Sequence, residues 1–179
     1  MKSKTSRRLH QRLGPAQVAG ERFAQRVAYY GRWNSLAQSL LKLTSPGVPD
    51  LYQGCELWSF TLVDPDNRRL IDYAPRRAAL PLATHPKQSL IALALRLRRE
   101  RPSTFISGAY TPILATGSAV EQFIGFMRGD DVVVAVSRWS SRLSETGWGD
   151  TTVTLPPGNW TTPFGCVPLP AHVTPTELF

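Results

Sequence analysis

The 179-residue sequence is poor in cysteine and histidine and has no long apolar run. Cys55 and Cys166 form no CxxC pair, and neither has a histidine at metal-ligand spacing. That excludes a disulfide framework and the common zinc motifs, and two independent reduced thiols is the simplest reading. His10, His85 and His172 are scattered. No stretch of about 18 apolar residues could span a bilayer, so no membrane partner is expected. The start, Met1 to Arg8, is basic like the first part of a secretory leader, but no apolar stretch follows it, so the expected compartment is the cytoplasm. The glycines open neither a GxxxxGK[ST] nor a GxGxxG pattern, which removes the usual phosphate-binding loops. Asp64-x-Asp66 hints at calcium, but the run has no glycine at loop position 6 and no glutamate at position 12, which excludes an EF-hand.

What is present is enough for a packed domain: 42% hydrophobic and 19% charged residues, unlike a disordered tail. The formal charge of +8 invites a nucleic-acid reading. Its distribution weakens that reading. Residues 1–50 carry nine Lys/Arg and two acids, whereas residues 51–179 carry twelve and eleven. The excess is a local basic arm without interleaved aromatics on a known nucleic-acid fold, so no nucleic-acid partner is expected.

Apolar periodicity predicts a helix from Pro15 to about Tyr30, carried by Val18, Phe23, Val27 and Tyr30. Gly31 interrupts it. Asn34 or Ser35 can cap a second helix with Leu36, Leu40, Leu41 and Leu43 near one face, stopped by Pro46-Gly47. Val48 to Gly54 reads as a short buried strand. Residues 55–86 lack clear periodicity and read as a long functional loop. Gln88 to Arg101 is the clearest helix, with Leu90, Leu93, Ala94 and Leu97 as its stripe and Pro102 after it. From there the period shortens. Tyr110–Leu114, Val120–Met127, Val132–Arg138 and Thr151–Leu155 are β-type runs, and Gly129-Asp130-Asp131 marks a hairpin. A helical, loop-rich part, 1–104, thus precedes an all-β part, 105–179.

Two stretches carry the chemistry: Pro46 to Leu57, and Leu62 to Arg69 with Asp72-Tyr73. A strand delivering Tyr52, Gln53 and Glu56 to its C-terminal end, then a polar loop with Asp64, Asp66, Asn67, Arg68 and Arg69, suits the rim of a barrel active site. Carboxylates, amides and guanidinium groups pair with vicinal sugar hydroxyls, and Trp58 or Tyr73 can cover the apolar face of a pyranose. Plainer readings stand beside these. Asp64-Pro65-Asp66-Asn67 is also a good Asx turn, with the arginines as its ion pairs. Trp58 and Phe60 can be loop anchors. Glu56 could be a general acid, but a lone carboxylate is more often an orienting group.

The run Asn34-Ser35-Leu36-Ala37-Gln38-Ser39-Leu40-Leu41-Lys42-Leu43-Thr44-Ser45-Pro46-Gly47-Val48-Pro49-Asp50-Leu51-Tyr52-Gln53-Gly54, with Glu56-Leu57-Trp58 and Leu62-Val63-Asp64-Pro65-Asp66-Asn67-Arg68-Arg69, resembles the maltooligosyltrehalose synthases of the α-amylase superfamily. The likeness extends over about residues 20–160. It implies an α/β plus all-β fold: the C-terminal end of a (β/α)8 barrel (last strand, active-site loop and helices), followed by an antiparallel β-sandwich. The family rearranges the reducing-end α-1,4 linkage of a maltooligosaccharide to an α,α-1,1 linkage by intramolecular transglucosylation, and the resemblance implies no metal and no organic cofactor. A maltooligosaccharide is therefore the implied substrate, with Tyr52, Gln53, Glu56, Asp64, Asp66, Asn67, Arg68 and Arg69 as binding residues at the rim.

In that family the catalytic carboxylates lie on earlier barrel strands. Before the rim this chain has only Glu21 and Asp50 as acids, neither in a motif like those strands, so no residue here is assigned as catalytic. One barrel strand cannot close a barrel. The expectation is an enzyme portion inactive alone, with the remaining barrel portion, on another chain, as a further partner. After Trp160 no apolar closing strand is expected. The alternative is a non-catalytic α-glucan-binding module.

Overall fold

The computed structural model describes residues 14–59, 70–163 and 168–178. The chain begins with one long helix, α1 (Pro15–Thr44), where the sequence predicts two. Gly31 lowers helix propensity by about 1 kcal/mol relative to alanine, which a well-packed helix tolerates without breaking. Asn34 does not cap. Its Oδ1 accepts instead from the Ser140 hydroxyl at 3.3 Å, and Ser35 offers its carbonyl to the Ser39 hydroxyl at 2.7 Å. Pro46 does end the helix. It forces Ser45 into extended backbone (φ −61°, ψ 158°), as a residue before proline prefers.

The predicted strand over 48–54 is absent. Residues 48–52 are irregular and 53–56 form a turn. A strand needs partners for its N–H and C=O groups, and among the described residues no strand lies beside this segment. Inside the predicted loop 55–86 stands a short helix, α2 (Ala74–Leu82), opened by the Asp72 carboxylate, which accepts from the Ala74 N–H at 2.9 Å. Helix α3 (Pro86–Glu100) matches its prediction, but its buried residues are Lys87, Gln88, Ile91 and Ala94. The stripe is rotated from the predicted one, and Leu97 half-buries against Phe105 and Phe126. A single turn of helix follows, α4 (Pro102–Ile106).

The remaining strands are β1 (Tyr110–Ile113), β2 (Ala115–Thr116), β3 (Phe123–Arg128), β4 (Val132–Ser137), β5 (Thr152–Thr154), β6 (Trp160–Thr161), β7 (Pro168–Leu169) and β8 (His172–Val173). They form antiparallel sheets in the orders β1-β3-β4 and β2-β5-β8, with β6-β7 as a separate pair. The predicted Gly129-Asp130-Asp131 hairpin joins β3 to β4, with Arg128 opposite Val132. A closing strand does exist. β8 pairs with β5, and Val173 is buried. Helix α5 (Ser140–Thr146), not foreseen from the sequence, leaves β4 and leans on α1, where the Tyr30 and Ser144 hydroxyls meet at 2.8 Å.

The β1-β3-β4 sheet is the middle layer, which explains why β4 reads Val-Val-Val-Ala-Val without polar alternation. Val132 and Val134 pack with Phe105, Phe126, Leu40 and Leu41 on the helical side. Val133 and Ala135 pack on the other side with Ile113, Phe123, Val153, Leu155 and Val173, a cluster drawn from both three-stranded sheets.

Two arginines lock the C-terminal end of α1 to its neighbours, one from α3 and one from the sheet. Arg98 of α3 donates to the Leu43 carbonyl at 2.9 Å and the Gly47 carbonyl at 3.3 Å. Arg128 is 1% exposed and donates to the carbonyls of Thr44, Thr104, Phe105 and Gly108. Both guanidinium groups therefore meet carbonyls left over at the C-terminal end of α1, where positive charge is favoured.

The hairpin loop is pinned as well. Asp131 accepts from Arg101 at 2.5 Å and from the Thr104 hydroxyl at 2.8 Å. Burial pushes the Asp131 carboxyl up, but the bonds from Arg101 and Thr104 outweigh it and hold the group below the ordinary carboxylate value. A depressed folded-state pKa contributes stability that is present above the unfolded value and is lost as pH falls through the folded one. Melting of the parent should therefore weaken more steeply below about pH 4 than melting of Asp131→Asn. Parallel pH profiles of the two would refute this link.

Among the described residues no helix is long and apolar enough to cross a membrane, and no cluster of three His, Cys, Asp or Glu side chains could hold a metal.

Candidate functional site

The 53–56 turn and the start of α2 build one polar corner. Gly54 sits at φ +83°, a left-handed conformation that favours glycine. A Cβ there would also meet Ile71 Cδ1 at 2.4 Å, so the backbone passes close over Ile71. The Cys55 N–H closes the turn on the Tyr52 carbonyl at 3.2 Å.

Arg76 holds this corner together. Its Nε donates to Glu56 Oε2 at 3.1 Å, its Nη2 to the Gly54 carbonyl at 2.8 Å, and its Nη1 to the Asp72 carbonyl at 2.6 Å. Gln88 of α3 donates in turn to the Arg76 carbonyl at 2.8 Å. A planar fork that reaches two turns and a carboxylate at once is a task for arginine and not for lysine. The arginine side chain is 18% exposed and the glutamate 31%, so the pair is partly sheltered from water.

Two of the predicted site residues face outward beside this anchor. Tyr52 is 57% exposed. Gln53 is exposed too, its Oε1 accepting from the Tyr73 hydroxyl at 3.3 Å. Glu56 is half-buried, and one of its oxygens is taken by Arg76. The structure therefore brings Tyr52, Gln53 and Glu56 into one turn and adds Tyr73 and Arg76 to them. Asp64, Asp66, Asn67, Arg68 and Arg69 lie outside the described residues, as do Phe60 and the basic arm up to residue 13.

Behind the turn lies a partly buried basic pair. Trp58 packs on His85 with ring centroids 4.9 Å apart. Both ring nitrogens of His85 are buried without a hydrogen-bond partner. Burial, and then the nearby Lys87, push the imidazole below its ordinary value, so it stands neutral at neutral pH. Lys87 is itself buried, and burial lowers its pKa against the opposing pull of Cys55 and Glu56. Trp58 is thus an anchor for the segment entering α3, the plainer of its two sequence readings.

Chemically, the corner offers a phenol, a carboxamide and a second phenol as hydrogen-bonding groups and ring faces. Among the described residues it offers no acid/base pair. Retaining glycoside chemistry needs two carboxyl groups about 5–5.5 Å apart. At this corner Glu56 is tied to Arg76, and Asp72 is tied to the start of α2.

Sequence reasoning missed Arg76. Twenty residues separate it from Glu56, and no local spacing marks the pair.

No family model matches the sequence. Over 146 residues the chain is 51% identical to a protein of Mycobacterium tuberculosis provisionally assigned as a maltooligosyl trehalose synthase, covering 82% of this chain and 19% of that protein. Its fold matches the maltooligosyltrehalose synthase from Arthrobacter ramosus with a TM-score of 0.79 at 36% identity, covering 89% of this chain and 22% of that one. A hypothetical maltooligosyl trehalose synthase from Sulfolobus tokodaii matches with a TM-score of 0.66 at 28% identity, over 88% and 21%. The chain spans about one fifth of the length of the relatives it matches.

Proposed function

This chain is a relative of the maltooligosyltrehalose synthases over most of its length, and from that premise we propose that it is a C-terminal portion of such a glucosylmutase. It comprises the end of a (β/α)8 barrel, residues 1–104, and a β-sandwich domain, residues 105–179. Its work is in the cytoplasm, on the reducing end of a maltooligosaccharide. The 51% identity over 146 residues carries the reading.

In this reaction one carboxylate displaces the terminal glucose and forms a glycosyl-enzyme, while a second gives the leaving O4 its proton. The released glucose stays bound. Its anomeric hydroxyl returns a proton to the second carboxylate and attacks the glycosyl-enzyme, so an α-1,4 bond is exchanged for an α,α-1,1 bond. Both carboxylates belong to the remaining barrel portion, the chain's partner in this reading. The part played here is to hold the displaced glucose against water and against escape. Tyr52 and Gln53 face it with ring and amide, and Arg76 keeps Glu56 and the Gly54 backbone fixed beneath them. Asp64, Asp66, Asn67, Arg68 and Arg69 are further substrate-binding residues in this reading, on the strength of the sequence resemblance.

The test is a chimera in which this chain replaces the matching fifth of the Arthrobacter ramosus enzyme. It should form maltooligosyltrehalose from maltopentaose. Gln53→Ala in that chimera should raise KM about tenfold, the equivalent of one lost hydrogen bond of about 1.4 kcal/mol. An unchanged KM would remove Gln53 from the rim, and a chimera that folds but makes only glucose and shorter maltooligosaccharides would defeat the assignment.

A further inference from the structure

Between α1 and the edge of the middle sheet lies a groove of about 300 Å³, and none of its lining residues belongs to the rim turn. That is the lower end of the size range of ligand clefts. Its floor is apolar, with Leu41, Ile124 and Val136, and its edges are polar, with Asn34, Gln38 and Ser137. Trp139 stands at one end and is 45% exposed.

Trp139 has φ +54° and ψ +47°, the left-handed helical region. For a bulky side chain this is an outlier. The chain does need a reversal there, because β4 ends at Ser137 and α5 starts at Ser140, with the Leu143 N–H closing on the Trp139 carbonyl at 3.0 Å. Glycine or asparagine would make that reversal with less strain. Tryptophan therefore occupies this position at a cost in backbone strain. The ring is also oriented. The Arg138 guanidinium lies 4.4 Å from its centroid and that of Arg142 5.8 Å away, while Arg138 Nε is tied to the Glu121 carbonyl. Strain, a fixed ring and an adjoining groove coincide, a combination that marks functional positions.

We infer that this groove is a second carbohydrate site, distinct from the rim turn, which holds an α-1,4-glucan chain with one pyranose face on the Trp139 ring. An oligoglucan alternates apolar ring faces with hydroxyl edges, and it is uncharged. The groove alternates in the same way, with an apolar floor, two carboxamides and a hydroxyl at its edge, and guanidinium groups over the ring. A site of this kind would keep a long substrate attached between turnovers. The choice of glucan over another saccharide rests on the function proposed above; the site itself does not.

The experiment uses the whole chain. Native gel electrophoresis through amylose, with titration by maltoheptaose, reads affinity, and cellohexaose serves as the control sugar. The parent should be retarded by amylose. Trp139→Asn should melt at an equal or higher temperature, because it relieves the left-handed strain, yet lose at least tenfold in association constant for maltoheptaose. Gln38→Ala, an exposed change on α1, should lose about threefold, and Ile106→Ala, an exposed change on α4 outside the groove and the rim turn, should stay within twofold of the parent. The inference is overturned if the parent does not bind maltoheptaose, if Trp139→Asn binds as the parent does, or if Ile106→Ala removes the binding. Should Trp139→Asn fail to fold, an unchanged affinity of Gln38→Ala overturns it. Equal binding of cellohexaose would contradict the α-1,4 assignment while leaving a saccharide site. A failed chimera beside intact Trp139-dependent binding would defeat the mutase reading and leave this one standing.

Discussion

Arg128→Met is expected to destabilise the folded chain by about 3–5 kcal/mol, a large fraction of the stability of an ordinary domain. Methionine fills much of the same space and keeps the apolar contacts beside Phe105. What it cannot do is donate. Arg128 is 1% exposed and serves the carbonyls of Thr44, Thr104, Phe105 and Gly108, drawn from the end of α1, from α4 and from the approach to β1. Each buried carbonyl left without a donor costs about 1–3 kcal/mol. Exchanging a buried charge for an apolar side chain is often harmless when its partner is exchanged too. Here the partners are backbone groups that no single substitution removes. Urea unfolding of parent and variant measures the difference, and a loss below about 1 kcal/mol would show that the guanidinium is not the joint between helices and sheet.

The second large effect is expected at Arg76. In the chimera, Arg76→Ala should raise KM for maltopentaose by about tenfold or more with a smaller change in kcat, because it frees the turn that carries Tyr52, Gln53 and Glu56. Its loss removes bonds to Glu56, Gly54 and Asp72 together and leaves the Glu56 carboxylate partly buried without its counter-ion. Arg76→Lys restores the charge but not the fork, so it should recover only part of the affinity. A purely structural role would lower the melting temperature of both variants and leave KM alone. That pattern, or a fall in kcat with KM unchanged, would contradict the positioning role.

Much of the fold was legible because its signals are local. The helix predicted from Gln88 to Arg101 and the Gly129-Asp130-Asp131 hairpin need only near neighbours, and both elements appear, although the helix buries a stripe rotated from the predicted one. Failures occurred where distant chain decides the outcome. The continuity of α1 through Gly31 is supported from outside the local sequence, by α3 and β4 on its C-terminal half and by α5, which Arg26 and Tyr30 reach just before Gly31; such distant contacts offset a propensity cost of about 1 kcal/mol. Val48 to Gly54 has the composition of a strand, yet no described strand lies beside it, and a strand without neighbours leaves its backbone groups unpaired. Helix α5 follows from a left-handed Trp139, a conformation that no sequence rule assigns to tryptophan.

The candidate site was legible in one half only. Tyr52, Gln53 and Glu56 stood out by motif, and they share a turn in the structure. Their support did not stand out. Arg76 and Gln88 are ordinary polar residues on two helices until the fold brings them under that turn, and Arg128 lies 84 residues from the carbonyl of Thr44 that it serves.

Product analysis of the chain alone on maltopentaose tests the central claim most directly: this chain supplies part of a substrate rim and a β domain, while the catalytic carboxylates come from the remaining barrel. No maltooligosyltrehalose should form. Maltooligosyltrehalose produced by the purified chain alone would contradict the claim and require a catalytic pair within these 179 residues.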